Sequence, residues 1–484
     1  MFSIEKISKT AKIAVVGGGA SGIHFASQLK LLGYKDVTIY EKSNEVGGQS
    51  HSPKIDGIPV DLGTIVAPIQ HKPLKQFLQN IGAKVKPVTI TDIMMKLNGK
   101  DIIETDSMKV FHTEYQEIHG KINYQLFKYK FILAFIKYAI KHQEMLDQYH
   151  YPKEEYAIEL SQPFDKFLHT YRLEILAPFM NQILISWLAA NGVQSYPTFE
   201  ALQILNPSYF VGKCYQIDGG YQSVWEKAAK FYNLNILFNK EVTNIKTTTD
   251  GKVLLSFYDD NIDHQFDLLV MASPYAVKYL KNPSVEQQDI LEQYKLSSPN
   301  VATIFQTHKN YDNIKVKYGY QISIPAENKV VATVDLYPKS KFATAWQSSF
   351  KIKKDGIITD KEREVARGEL VKSLDKKYDY HNIKPIYEKW WPCFRVHCSE
   401  KAIAGKYPWK ILNLEGKDNI LYIGGAAGVY TVPSIIDFNH KIMHMDNDKH
   451  KNDFGNINLF SIPSTILELI GNLIGLGAAE LEIE

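Results

Sequence analysis

Gly17-Gly18-Gly19-Ala20-Ser21-Gly22 has the spacing G-x-G-x-x-G. That spacing suits a pyrophosphate. Its first glycine permits a tight turn, its second lets the phosphates approach the backbone, and its third lets the next helix pack close to the preceding strand. The helix start then turns the unpaired N–H groups of Gly19, Ala20 and Ser21, and a partial positive charge, toward the phosphates. A carboxylate about 20 residues further on accepts hydrogen bonds from the ribose hydroxyls of a dinucleotide. Glu41, followed by Lys42, stands there.

Such a site needs a strand before the glycines and a second before the acid. Lys12 to Val16 is a short apolar run that reads as a buried parallel strand. The pattern predicts a helix from about Ser21 to Leu32 with Ile23, Leu29 and Leu32 among its apolar positions, closed by Gly33. Val37 to Tyr40 is the second strand. A glycine-rich turn in a nucleotide-free domain is the plainer alternative, and the strand, helix and acid in register weigh against it. Farther on, residues 106–210 read mainly helical and aromatic, and Asp218-Gly219-Gly220 is a turn before another helix. Phe266 to Ala272 reads as a buried strand ended by Ser273-Pro274. Val301 to Phe305, Gln321 to Ile324 and Val330 to Leu336 are short β-like runs. Asn419 to Gly425 is a strand meeting glycines, with a helix from about Pro433.

Glu45-Val46-Gly47-Gly48, directly after the acidic strand end, resembles the flavin amine oxidase superfamily. The resemblance continues through Val60-Asp61-Leu62-Gly63, Val242 in Lys240 to Ile245, Asp267 to Pro274 and Leu421 to Gly425. It implies FAD rather than NAD. It places Gly17, Gly19, Ala20, Ser21, Gly22, Glu41, Lys42, Gly47, Gly48, Gln49, Leu62, Gly63, Val242, Ala272, Gly424, Gly425 and Val432 at the cofactor. Two positions depart from the family pattern: Gln49 stands where an arginine is usual, and Gly425 where an acid is usual. Backbone contacts must then carry more of the binding. Covalently flavinylated relatives have a cysteine near the C-terminal motif; none lies near Gly424, so the flavin is expected to be non-covalent. Within the superfamily, Gly47 to Pro53, Pro163 to Leu168, Asp218-Gly219 and Trp391 through Glu400 are most similar to the bacterial polyenoic fatty acid isomerases. These anchor the fatty carboxylate with an arginine just past the first βαβ unit. Residues 81–110 contain no arginine, so Lys96 or Arg395 would have to substitute. Trp390 and Trp391 are the aromatics that the resemblance would set near the flavin ring.

The implied architecture is α/β: a Rossmann-type, glutathione-reductase-like FAD domain interleaved with a mixed α+β substrate domain. The FAD domain is expected to use 10–105, 212–275 and 405–445, and the substrate domain 106–211 (helical) and 276–404 (sheet), with a tail at 446–484. The 484 residues exceed one ordinary core. A net charge of +3 offers no basis for nucleic-acid binding. Three cysteines, an odd number, argue against a disulfide framework and for a reducing, cytoplasmic setting. Cys393 and Cys398 read as ordinary thiols, and no metal is expected. No apolar stretch reaches the roughly 18 residues of a spanning helix. Peripheral membrane contact stays open: the aromatics and lysines of Tyr124 to Lys141 read either as a core-facing helix with snorkelling lysines or as a lipid-facing one. Leu459 to Ile483 reads as an interfacial anchor or, given its glutamates, as a segment docked on the protein. His440, His444 and His450 are expected in solvent.

Three functions follow. One is a redox-neutral isomerase of an unsaturated, lipid-like acid. Another is an oxidase or desaturase of an amine or hydrophobic small molecule, reoxidised by oxygen. The third is a non-catalytic flavin-fold binding protein. No second G-x-G-x-x-G marks a nicotinamide domain. Oligomeric state has no sequence signal.

Overall fold

Four consecutive buried residues in Lys12–Val16, and again in Asp36–Tyr40, make strands that are covered on both faces. The computed structural model describes residues 2–444 apart from 89–91, 98–99, 105, 147–151, 189–192, 195, 211–214, 298, 307–316, 322–329, 336–340, 349–357 and 378–381. Along the chain, β1 (Lys12–Val16), α1 (Ala20–Leu31), β2 (Asp36–Tyr40) and α2 (Lys72–Asn80) come first, then β3 (Asp92–Leu97) and β4 (Lys100–Glu104). Helices follow: α3 (Ser107–His119), α4 (Tyr124–Met145), α5 (Glu154–Ser161), α6 (Phe164–Thr170), α7 (Ala177–Leu188), α8 (Thr198–Ile204) and α9 (Gln222–Phe231). Next come β5 (Asn235–Leu237), β6 (Val242–Thr247), β7 (Val253–Phe257), β8 (Asp260–Phe266) and β9 (Leu268–Met271). The remainder includes β10 (Asn300–Gln306), β11 (Lys317–Gln321), β12 (Val330–Asp335), β13 (Phe342–Gln347), α10 (Asp360–Lys377), β14 (Lys384–Trp391), β15 (Ile420–Tyr422) and α11 (Val432–Met443).

Two sheets organise these elements. The first is parallel, in the order β15-β9-β1-β2-β5, with β1 at its centre. The antiparallel β6-β7-β8 sheet belongs to the same core: Val242, Ile245, Val253 and Leu255 join Ile13, Val15 and Leu269 in one buried cluster. The second large sheet has seven strands, β14-β10-β13-β12-β11-β3-β4. Its pairs are antiparallel except β11 with β3. One face buries Phe305, Val330 and Ala345 under Leu370 and Leu374 of α10. The other holds Ile304, Val331 and Trp346 against Val60 and Leu62. The helices α3–α8 build their own core around Phe127, Phe131, Phe164 and Leu176.

The expected domain boundary at 105 falls past β3 and β4, which pair in the seven-stranded sheet with elements from 300 onward. His440 also departs from expectation. α11 continues through it, its ring meets that of the buried His24 at 5.3 Å, and burial pushes its pKa down. His450, Cys214 and the tail 446–484 lie outside the described residues.

Candidate functional site

The glycine turn sits between the C-terminal end of β1 and the start of α1, where a parallel sheet opens its binding crevice. The third glycine is there for packing: a Cβ on Gly22 would lie 2.0 Å from the Gly17 carbonyl oxygen. Gly19 precedes α1 as its N-cap and offers no side chain to the first N–H groups. The second glycine pair closes on the first. Gly47 N–H donates to the Gly18 carbonyl at 2.9 Å, and a Cβ built on Gly48 would meet the Gly19 Cα at 3.2 Å. The result is a cradle of bare backbone.

Glu41 is almost fully buried at the end of β2. One carboxylate oxygen accepts the Gly18 N–H at 2.6 Å; the other accepts the Ser43 N–H at 2.9 Å and its hydroxyl at 2.7 Å. Gly18, an unspecified position in the motif, is therefore a working contact, and a Cβ there would meet Glu41 at 3.2 Å. Lys42 lays its ammonium over the Tyr275 ring at 4.7 Å.

The segments expected at the flavin converge on the same side. Gln49 donates through its side-chain amide to the Phe394 carbonyl, which ties the second glycine pair to the 394 turn. Leu62 is buried, and its carbonyl accepts the Trp346 indole N–H at 2.6 Å. Gly63 lies so close to Gln49 that a Cβ would reach 1.6 Å from its carbonyl oxygen. Asp61 accepts from the Ser52 hydroxyl at 2.5 Å and from the Tyr221 N–H at 2.7 Å; burial pushes its carboxyl up to about 7. His51 takes the Tyr387 hydroxyl on Nε2 at 2.7 Å and contacts Glu45 through Nδ1 at 3.0 Å. Burial and Lys389 push its pKa down, and Glu45 opposes them. Ala272 continues β9 by donating to the Val16 carbonyl at 3.0 Å, and Val242 is buried in the same core.

The C-terminal motif arrives from β15. Gly424 has φ +53° and abuts α1, since a Cβ there would lie 2.5 Å from the Ser21 Cβ. Gly425 presses on Pro274. Val432 opens α11, whose cap is the Thr431 hydroxyl accepting the Ser434 N–H at 3.2 Å. Polar residues buried within α11 fix its placement. Asn439 donates to the Ser21 carbonyl at 3.0 Å, and His71 Nε2–H donates to both Asp437 oxygens, at 3.0 and 2.9 Å. His71, Asp437 and Asn439 belong to no motif in the sequence. Two polar residues inside an apolar helix were the available sign.

Neighbouring strand residues face opposite ways, and this separates the tryptophans. Trp391 points into the apolar cluster with Leu62, Trp346 and Phe394. Trp390 packs with Val301 and Ala366 on the α10 side, under the Arg363 guanidinium at 5.6 Å. Arg395 contacts Glu200 at 3.3 Å and covers the Tyr196 ring at 4.4 Å. Burial pushes the Glu200 carboxyl up and the Arg395 guanidinium down. The other Glu200 oxygen accepts the Cys398 N–H at 2.9 Å, so both oxygens take donors. Glu200, Gln203 and Cys398 line a small cavity with Gly428 and Tyr430. Lys96 stands in β3, in the seven-stranded sheet.

A parallel sheet with a bare glycine cradle at its crevice and a carboxylate closing the next strand defines a dinucleotide-binding fold. Residues 20–310, more than half of the chain, match the family described as flavin containing amine oxidoreductase, and the chain belongs to that family. It is an FAD-dependent enzyme. The polyenoic fatty acid isomerase of Ptilota filicina is 19% identical over 477 residues, covering 88% of this chain and 93% of its own. The crystal structure of a conjugated-linoleic-acid-producing fatty acid isomerase from P. acnes superposes with a TM-score of 0.73 at 19% identity, covering 91% of this chain and 99% of its own. Putrescine oxidase bound to putrescine superposes with a TM-score of 0.62 at 13% identity, covering 90% and 99%. At these identities the two structures speak to fold. Among the described residues no helix is long and apolar enough to cross a membrane, and no cluster of potential metal ligands occurs.

Proposed function

We propose that this enzyme performs hydride transfer on a hydrophobic small molecule, and that the favoured reaction is redox-neutral isomerisation of a double bond in an unsaturated, fatty acid-like substrate. The observation that carries the proposal is the apolar wall at the expected flavin segment: Leu62 packs with Ile185, Val331, Trp346 and Trp391. Bound FAD supplies a hydride acceptor and donor at its N5. The chain's residues do the rest. The bare backbone of Gly17, Gly19–Gly22, Gly47 and Gly48 would receive the pyrophosphate, and Glu41 the ribose. Leu62, Gly63, Gly424, Gly425 and the α11 start at Val432 would seat the ring end without a covalent bond. Trp391 and Trp346 would exclude water and hold an apolar chain within near-attack reach, about 3–3.5 Å. A reducing, cytoplasmic setting accords with Cys393 and Cys398 as free buried thiols.

The test is anaerobic incubation with polyunsaturated acids in deuterated water. An isomerised product that keeps its hydride, and no peroxide when air is admitted, supports the reading. Stoichiometric peroxide with a product two hydrogens lighter defeats it in favour of an oxidase.

A further inference from the structure

Helix α4 has two apolar faces. Phe127, Phe131, Phe135 and Tyr138 are buried in the helical core. Leu126, Tyr129, Leu133 and Ile140 are exposed by 46%, 61%, 48% and 37%. At about 100° per residue these four fall within roughly 60° of arc, opposite the buried face, in a stripe about 21 Å long. Lys130, Lys137 and Lys141 edge the stripe on one side. Lys137 reaches the Tyr171 carbonyl and Lys141 pairs with Glu144, the sole acidic residue of the helix. Such surface contacts are weak and exchange readily. An isolated exposed apolar residue needs no explanation, but four in line do.

We propose that α4 is a docking helix that lies in the plane of an anionic phospholipid surface. Leu126, Tyr129, Leu133 and Ile140 enter the boundary between headgroups and acyl chains, and the lysines meet lipid phosphates. The charge pattern chooses this occupant. Protein interfaces are depleted of lysine, whereas a lysine-edged apolar stripe complements an anionic bilayer on both counts. The inference stands apart from the proposed reaction, because its readout is binding.

The experiment sediments full-length, FAD-loaded protein with vesicles of phosphatidylcholine alone or mixed with phosphatidylglycerol. The wild type should pellet with the mixed vesicles, less with phosphatidylcholine, and be released by salt. Leu126→Gln, Leu133→Gln and Ile140→Gln together should reduce pelleting at least about tenfold while flavin content is kept, because all three sites are exposed. Lys130→Glu with Lys137→Glu should abolish the preference for phosphatidylglycerol. A wild type left in the supernatant with both vesicles overturns the proposal. So does a dimer by light scattering that the triple glutamine variant splits, which would make the occupant a second copy. A thiol placed by Tyr129→Cys that resists labelling before vesicles are added also overturns it, because the face would then be covered already.

Discussion

Glu41 is bound by its own chain on both sides, through Gly18 and Ser43, and this orients it toward the crevice before any ligand arrives. Glu41→Ala should weaken FAD binding by about 1.5–3 kcal/mol, the range for hydrogen bonds to charged groups, or roughly tenfold to a hundredfold in Kd. Flavin fluorescence titration reads this directly, and an unchanged Kd would remove Glu41 from the ribose. Asp61 gives a pH signature. Its folded pKa of about 7 exceeds the unfolded value near 3.8, so its stabilising share is complete below about pH 4 and is lost as pH rises through about 7. Within that window the group alone costs about 1.4 kcal/mol per pH unit. Melting temperature should fall across it, and Asp61→Asn should flatten the slope; an identical slope in the variant would put the effect elsewhere. Arg395→Met would strand the Glu200 carboxylate in the interior, so a loss of about 3–5 kcal/mol is expected, with Glu200→Gln costing much less. Equal melting temperatures for Arg395→Met and wild type would show that the pair carries no charge.

The elements around the glycine cradle were legible where local pattern decides them. β1 matches its apolar run residue for residue, and α1 starts one residue before its expected position. Glu41, Gly47 and Gly63 converge because the glycines between them admit backbone contact at distances closed to other residues. What was not legible depends on residues far apart in the chain. β3 joins the second sheet through a parallel pairing with β11, which no local pattern announces. Trp390 and Trp391 share a reading in sequence, but the strand alternation sends them to opposite faces. The His71–Asp437 bond between α2 and α11 spans 366 positions. His71→Leu should leave a buried carboxylate without its donor at a cost of about 1–3 kcal/mol. It should lower flavin retention along with the melting temperature, because α11 would lose its tie. Full flavin retention in this variant would show that α2 does not set the helix.

At the scale of the whole molecule, two interleaved sheet systems and a helical core meet where the segments expected at the flavin converge. The class of fold was readable because the glycine motifs recur in order along the chain; the substrate was not, because apolar walls select by shape. Denaturation with acid should release free FAD from the yellow protein, and colour retained on the polypeptide would refute non-covalent binding. The last contact has a temporal consequence. Ser21 and Asn439, 418 positions apart, clasp each other, and β15 closes the edge of the first sheet beside β9. The glycine fingerprint is synthesised long before β15 and α11, the elements that close against it. Tight cofactor capture should therefore come late, and a chain interrupted before residue 405 should keep the glycine cradle and Glu41 yet hold flavin more weakly than the full chain.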